Sequence, residues 1–325
     1  MKICTINFIL PHKTQKSKKC TFLKNDSFEK INFKSNIPHE ISKNIPNNFT
    51  IDKLISMAQT DKNLRGIGAN SKVYDIPYLD NYVLKILNKD DPNGIKINEF
   101  PTTINLGQPI WQNEKNSRQL ILKKVKGKEH SIPSWTHTIW DETIKKPHLV
   151  TKEQTQIYFK SVEKLAKMPQ EAFDELAYKA KLLSDKEYKI DSINPNNLIV
   201  DENEIHIIDY FKVKPSELNV YQNCSYDLLA IMLDFTLLPE YIEKMSPEEQ
   251  DKFLQNTKII FEKVQKASKQ ADFSTDIETY KTYINETSKW FITTSVFESN
   301  GKEHIRLYDY RAQDFLKWLD KLSTS

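Results

Sequence analysis

The sequence changes its hydrophobic pattern once along its length, and this change limits the fold more than any other feature. From about 62 to 126, short segments rich in β-branched and aromatic residues alternate with turns, which is typical of an antiparallel meander. From 151 onward, apolar residues recur with a helical period over longer segments. Strands followed by helices indicate an α+β fold in which a small antiparallel sheet precedes a larger helical part.

The same patterns predict individual elements. Thr151 with Gln154, and Ser246 with Glu249, are typical of capping boxes at helix starts. Strands are expected at 108–112, at 118–125 and, around a turn, over 188–208, and an Asn-Gly pair predicts a hairpin over 295–308. Helices are expected at 51–59, 136–144, 151–168, 169–184, 225–235, 246–269, 275–291 and 311–322.

Composition excludes several classes of function. Hydrophobic residues make up 38% of the 325 residues, enough for a sizeable core. The 47 Lys and Arg are nearly balanced by 44 Asp and Glu, and only four of the cations are Arg, which argues against a nucleic-acid binder. The three Cys lack metal-ligand spacing, so a reducing compartment fits best. No apolar run reaches the roughly 18 residues of a membrane span.

Glycine is scarce, with six in the chain, and two of them lie in one loop. Gly66, Gly68, Ser71 and Val73 form a G-x-G-x-x-S-x-V pattern between two predicted strands. Glycine lets backbone N–H groups approach phosphate oxygens that a Cβ would obstruct. An ordinary hairpin turn explains the same pattern equally well.

Lys85 lies on the strand after that loop, between Leu84 and Ile86 and close to Val83. A lysine among buried apolar residues is costly unless it meets a counter-charge, which a nucleotide phosphate or a carboxylate would supply. The alternative is a lysine on an edge strand whose ammonium reaches outward to water.

Two later turns carry oxygen ligands. Asp191 and Asn196 lie on one turn and can present a carboxylate to a substrate hydroxyl and an amide oxygen to Mg²⁺. Asp209 ends an apolar strand and is suited to hold Mg²⁺ with its carboxylate. Each of these residues is also unremarkable in a plain turn.

Together the four elements occur in the order of a protein kinase. Lys85 follows Gly66 by 19 residues, and Asp209 follows Asp191 by 18 residues. Over about 64–235 the chain resembles the eukaryotic-like protein kinases, and among them the compact type III secretion effector kinases of the NleH and OspG type.

The resemblance implies a two-lobed protein-kinase-like α+β fold with ATP and Mg²⁺ as cofactors. Its parts would be a small antiparallel β N-lobe over 51–126 and a larger helical C-lobe core over 127–240. A helical C-terminal extension with a β-hairpin would follow over 241–325, and the resemblance does not extend to it. Residues 1–50 are rich in Lys, Asn and Ser and keep no helical or strand period, so we expect a flexible leader that is a candidate secretion signal.

By the same resemblance, Lys85 would hold the α- and β-phosphates and pair with Glu99 on a helix after its strand. Asp191 would be the catalytic base, and Asn196 and Asp209 would bind Mg²⁺.

The nucleotide would lie between the two lobes. Gly66, Gly68 and Ser71 would contact its phosphates, Val73 and Val83 would cover the adenine, and Leu198 would lie beneath it. Asp227 resembles the buried Asp of the helix that supports the catalytic loop.

The chain departs from the family's pattern in four places. Ser71 replaces the third glycine, Lys189-Ile190 replace His-Arg, Ile193 replaces Lys, and Tyr210-Phe211 replace Phe-Gly. Without an Arg beside Asp191, a phosphorylated activation loop has no guanidinium to bind. Constitutive activity or activation by a partner is therefore expected.

The expected function is an ATP- and Mg²⁺-dependent Ser/Thr protein kinase, secreted by a bacterium into the host cytoplasm to act on host proteins. A host protein would be its substrate or activator, it would bind no nucleic acid, and it would be a monomer. Two alternatives remain: a small-molecule phosphotransferase of the aminoglycoside or choline kinase type, or a non-catalytic pseudokinase scaffold that binds a host protein. If the protein is not secreted, the bacterial cytoplasm is its expected location.

Overall fold

A computed structural model describes most of the chain beyond residue 36. The described residues belong to one unit, Ile37–Ser325. They are 37–67, 70–91, 94–97, 99–101, 104–130, 139–141, 146–148, 150–192, 195–235, 237–295 and 314–323.

Short helices and an antiparallel sheet make up the first part of the described chain. The helices are α1 (His39–Ser42) and α2 (Ile51–Ala58). The strands are β1 (Leu64–Ile67), β2 (Ser71–Asp75), β3 (Tyr82–Leu87), β4 (Pro109–Asn113) and β5 (Asn116–Lys123). Their order in the sheet is β1-β2-β3-β5-β4, and each strand is antiparallel to its neighbours. The predicted small antiparallel sheet is therefore confirmed.

Helix α2 packs on one face of this sheet. The side chain of Thr50 accepts a hydrogen bond from the backbone N–H of Lys53 and caps the helix start. The apolar side of α2 shares a hydrophobic cluster with alternate residues of the strands. Its buried members are Ile41, Ile51, Leu54, Ile55, Ala58, Ile76, Leu79, Tyr82, Leu84, Ile110, Trp111 and Ile121.

This cluster corrects the predicted boundary of the leader at residue 50. Ile41 of α1 is fully buried in it, and Ile37, Ile45 and Phe49 pack against it. Apolar residues spaced too irregularly to show a helical period can still fill a core, because contact and not periodicity decides burial. The leader prediction is therefore wrong for 37–50, and residues 1–36 lie outside the described residues.

Helices dominate the remainder, with short strands between them. The strands are β6 (Lys128–Glu129), β7 (Ile139–Asp141), β8 (Lys146–His148), β9 (Tyr188–Ile190), β10 (Leu198–Val200), β11 (Ile205–Ile207) and β12 (Tyr210–Lys212). The helices are α3 (Lys152–Lys167), α4 (Gln170–Asp185), α5 (Leu218–Tyr221), α6 (Ser225–Met232), α7 (Leu238–Glu243), α8 (Pro247–Gln270), α9 (Ile277–Ser295) and α10 (314–323).

Capping boxes lie at the starts of two long helices, α3 and α8, as predicted. Thr151 and Gln154 exchange side-chain and backbone hydrogen bonds at the start of α3, and Ser246 and Glu249 do so at the start of α8. Both capping boxes are confirmed.

A second hydrophobic cluster holds the helical part together. It takes buried residues from α3, α4 and α6 and also from α8, α9 and α10, for example Phe253, Tyr280 and Phe315. The predicted C-terminal extension over 241–325 therefore shares its core with the preceding helices. Within the described ranges, no helix is long and apolar enough to cross a membrane.

Two expected elements differ or fall outside the described residues. The helix predicted over 136–144 is wrong at Ile139–Asp141, which forms strand β7 and pairs with β8. Only three of its residues are described, and their cross-strand partners override the weak local helical pattern. The predicted hairpin lies mostly over 296–313, outside the described residues, while Ser295 ends helix α9.

Candidate active site

A short antiparallel ladder brings Asp191 next to Asp209. Strands β9 and β12 pair with Ile190 opposite Tyr210. One residue beyond this pair, the backbone N–H of Asp191 donates to the backbone oxygen of Asp209 at 3.3 Å. The hairpin β10–β11 between them turns the chain back, with Leu198 opposite Ile207. Asp191 and Asp209, 18 positions apart in the sequence, are thus neighbours in the fold.

The carboxylates differ in their surroundings. Asp191 is half-buried, and Asn197 donates its side-chain amide to Oδ2 of Asp191 at 2.9 Å. Asp209 is exposed, and its Oδ1 accepts the backbone N–H of Tyr210 at 3.1 Å. Asn196 lies half-buried in the 3₁₀ turn Pro195–Asn197, on the same loop as Asp191. No role is predicted for Asn197 from the sequence, although its position directly after Asn196 on the same turn could have indicated one.

A buried carboxylate supports this loop from below. Asp227 is fully buried at the start of α6, where it accepts the backbone N–H of Cys224 at 2.9 Å. It accepts the hydroxyl of Ser192 at 3.1 Å and forms an ion pair with Lys189, so it binds the chain on both sides of Asp191. The supporting position predicted for Asp227 corresponds to these contacts.

The unusual Lys189-Ile190 pair has a structural explanation. Both side chains are fully buried. Lys189 brings a positive charge to the Asp227 carboxylate, and Ile190 fills the core. The Asn223 side chain, which sequence reasoning also missed, accepts the N–H of Ile190 at 2.9 Å and donates to the backbone oxygen of Tyr188 at 2.5 Å.

Four of the residues predicted to bind nucleotide share one face of the five-stranded sheet. Residues directly opposite each other on antiparallel strands point to the same face. Val73 pairs with Lys85, and strands β2 and β3 also carry Ser71 and Val83 two positions away. Leu84, in the alternate position, is buried under α2. The face that carries Lys85 is therefore the one that α2 does not cover.

Glycine at position 66 is not demanded by the backbone. The φ angle of Gly66 is not in the left-handed region, and an added Cβ would meet nothing within 4 Å. Gly68 lies outside the described residues. An alanine at position 66 would therefore fit this fold.

Glu99 does not form the predicted pair with Lys85. The Tyr188 hydroxyl donates to Glu99 Oε2 at 2.5 Å, and Lys212 Nζ lies 3.8 Å from Oε1. Burial by itself would raise the pKa of Glu99, but the Tyr188 hydrogen bond and the Lys212 charge leave it below its ordinary value. Burial and the adjacent Glu99 carboxylate raise the pKa of Tyr188.

The predicted helix that would carry Glu99 is also absent among the described residues of 94–106. This segment packs on the helical part, where Phe100 is buried with its ring 5.9 Å from that of Tyr188. Glu99 thus joins the β9–β12 ladder. Lys85 is half-buried and pairs with no carboxylate within the described part of the chain.

Leu198, predicted to lie beneath the adenine, is fully buried in the helical core. Its backbone oxygen accepts the N–H of His130 at 2.9 Å. In this state Leu198 exposes no surface on which a ring could pack.

The donor chemistry at the ladder fits Mg²⁺. Asp209 and Asn196 offer hard oxygens, and Mg²⁺ is commonly bound by one or two carboxylates together with substrate phosphates and water. Among the described residues, no group of three or more His, Cys, Asp or Glu side chains is placed to hold a metal ion.

A cavity of about 650 Å³ lies elsewhere, between α2 and the turn after β2. Its lining includes Met57, Lys62, Tyr78 and Lys124 but none of the predicted site residues.

No protein-family model and no curated protein matches this chain. The resemblance to protein kinases therefore depends on the residues themselves and on where they lie.

Proposed function

We propose that this protein is an ATP- and Mg²⁺-dependent phosphotransferase with a two-lobed protein-kinase-like fold. The observation that carries the proposal is the β9–β12 ladder, which holds Asp191 beside Asp209 on a loop supported by Asp227. The small antiparallel sheet, with Val73, Val83 and Lys85 on its uncovered face, supports it further.

In the proposed reaction, Asp191 accepts the proton of an acceptor hydroxyl while that oxygen attacks the γ-phosphorus of ATP. The bond from the γ-phosphorus to the bridging oxygen breaks, and ADP leaves. Asn197 holds Oδ2 of Asp191 and thereby orients the carboxylate. Lys85 would bind phosphate oxygens, and Asp209 with Asn196 would hold Mg²⁺, whose charge offsets that of the phosphates.

We place the acceptor on Ser or Thr of a host protein, with this chain acting as a secreted effector in the host cytoplasm. This part of the proposal depends on the sequence resemblance over 64–235. Ile190 is fully buried beside Asp191, so no guanidinium is present there to bind a phosphorylated loop. Constitutive activity or activation by a host partner follows.

A specific observation favours the scaffold as the second candidate. Glu99 is held by Tyr188 and Lys212, and Leu198 is covered by the core. A chain in which these contacts persist would bind a host protein without transferring phosphate.

The test is incubation with γ-labelled ATP and Mg²⁺, with and without a eukaryotic lysate, beside ATP titration by calorimetry. For Asp191→Asn we expect turnover to fall by at least about 100-fold, as for a lost general base. ATP affinity should change little. Asp185→Asn is the matched control, because Asp185 is exposed and pairs with Lys181 on α4, away from the candidate site.

Loss of ATP binding in parallel with turnover would place Asp191 in the metal site or in the fold. Label on small molecules would favour the aminoglycoside or choline kinase alternative. Wild-type protein that neither binds ATP nor transfers label would favour the non-catalytic scaffold among the three candidate functions.

Gly66→Ala tests the glycine loop independently. Because the fold has room for the added Cβ, we expect unchanged stability but weaker ATP binding. Unchanged ATP affinity would identify the loop as an ordinary hairpin turn.

A further inference from the structure

Several groups of the described residues surround the fully buried ammonium of Lys189. Asp227 forms an ion pair with it, and the backbone oxygen of Gln222 lies 3.5 Å from it. The ring of Tyr283 supplies a further contact, with its centroid 4.0 Å from Nζ. A cation over an aromatic face is attracted by the ring quadrupole, and the attraction is stronger where water is excluded.

Tyr283 belongs to α9, in the C-terminal part for which the sequence predicts no role. The residue is buried, and its ring makes an edge contact with Tyr221 of α5 at 5.7 Å. One turn earlier on the same helix, Tyr280 stacks on Tyr226 of α6 at 5.8 Å. Aromatic contacts thus anchor helix α9 on α5 and α6, the first two α-helices after strand β12.

A continuous set of contacts leads from α9 to the loop of Asp191. The Tyr283 ring contacts Lys189, Lys189 pairs with Asp227, and Asp227 accepts the hydroxyl of Ser192. Lys189 and Ser192 lie two residues before and one residue after Asp191.

We propose that Tyr283 is a positioning residue for the catalytic loop. Its ring keeps the Lys189 ammonium against Asp227, and this pair holds the backbone on both sides of Asp191. Helix α9 is then an integral part of the catalytic unit. The inference rests on the proposed function only for its effect on turnover, since the positioning itself can be measured without catalysis.

The measurement is hydrogen exchange of the full-length protein at the backbone amides of 190–192, relative to Ala177 in the buried middle of α4. Two of these amides report the loop directly, since Asp191 donates to Asp209 and Ser192 donates to the oxygen of Ile190 at 2.9 Å. Exchange relative to α4 separates local loosening from a general loss of stability.

The variants separate the aromatic face from mere volume. Tyr283→Phe keeps the ring, Tyr283→Leu keeps an apolar side chain without it, and Tyr283→Met is the substitute if the Leu variant does not fold. Ile284→Ala is the matched control, because Ile284 is the next residue on α9 and is also fully buried.

We expect relative exchange of the loop to rise by at least about tenfold in Tyr283→Leu, the scale of a desolvated cation–π contact. In Tyr283→Phe the relative exchange of the loop should stay close to that of the wild type. In Ile284→Ala exchange should rise in the loop and in α4 alike, so that the ratio between them is unchanged. In the phosphotransfer assay, Tyr283→Leu should lower kcat with little change in ATP affinity, and Tyr283→Phe should restore kcat.

Equal relative exchange of the loop in Tyr283→Leu and Ile284→Ala would overturn the proposal, because the ring would then only fill space. Faster loop exchange with unchanged kcat would overturn its catalytic part. If the wild type transfers no phosphate, the proposed function fails, while the exchange ratios still decide whether Tyr283 positions the loop.

Discussion

Replacement of Lys189 by Met tests the buried ion pair beneath the candidate catalytic loop. Both side chains of the Lys189–Asp227 pair are fully excluded from water. Methionine keeps much of the length and apolar volume of lysine but removes the charge. Asp227 would then remain as a buried carboxylate without its counter-charge, although it still accepts hydrogen bonds from Ser192 and Cys224.

We expect Lys189→Met to lower the free energy of unfolding by about 3–5 kcal/mol, the usual cost of removing one partner from a buried pair. This is a large share of a total stability of about 5–15 kcal/mol. With a urea m-value of about 3 kcal/mol/M, the unfolding midpoint should fall by roughly 1–1.7 M.

The assay is urea unfolding followed by tryptophan fluorescence and circular dichroism. The double variant Lys189→Met/Asp227→Asn should recover most of the loss, because no buried charge remains. The single side-chain oxygen of Asn can accept the backbone N–H of Cys224, and its NH2 group can donate to the Ser192 hydroxyl, which then acts as the acceptor. Lys181→Met is the control, since its pair with Asp185 on α4 lies at the surface, with the two side chains 33% and 56% exposed, and is expected to contribute less than about 0.5 kcal/mol.

Two results would refute this reasoning. A cost of Lys189→Met below about 1 kcal/mol would mean that Asp227 is not a buried charge that depends on Lys189. A double variant as unstable as the single one would assign the loss to packing instead of charge.

Two further predictions concern stability. Burial lowers the pKa of His130 from 6.5 to about 4, against the effect of the Met232 hydrogen bond. Between these two values the unfolded chain binds a proton that the folded protein excludes. The free energy of unfolding should therefore fall by roughly 3 kcal/mol as pH drops from 6.5 to 4. Urea titrations in which the stability of His130→Gln falls as steeply with pH as that of the wild type would contradict this. Gly127 has φ +110, and an added Cβ would lie 2.7 Å from the oxygen of Val200, so Gly127→Ala should cost at least about 1–3 kcal/mol; an unchanged melting temperature would refute it.

Features set by neighbours in sequence could be predicted. The capping boxes at Thr151 and Ser246 are confirmed because a side chain and a backbone N–H three residues apart meet whenever the helix forms. The short strands that precede Asp191 and Asp209 could be predicted for the same reason, since apolar β-rich segments and turn residues are local signals.

Partners distant in sequence could not be predicted. Nothing near Glu99 in the chain indicates that Tyr188 and Lys212, about 90 and 110 residues later, would engage it in place of Lys85. The burial of 37–50 was missed because irregularly spaced apolar residues show no period.

The sequence by itself determined the order of a small antiparallel sheet and a larger helical part, because hydrophobic period and capping act over a few residues. It also placed the chemically capable side chains of Lys85, Asp191 and Asp209 on strands and turns. The tertiary structure alone decided that Lys189 meets both Asp227 and Tyr283. A buried charge is costly unless it is paired, and which counter-charge lies close to it depends on the packing of the whole core and not on the neighbouring residues in the sequence.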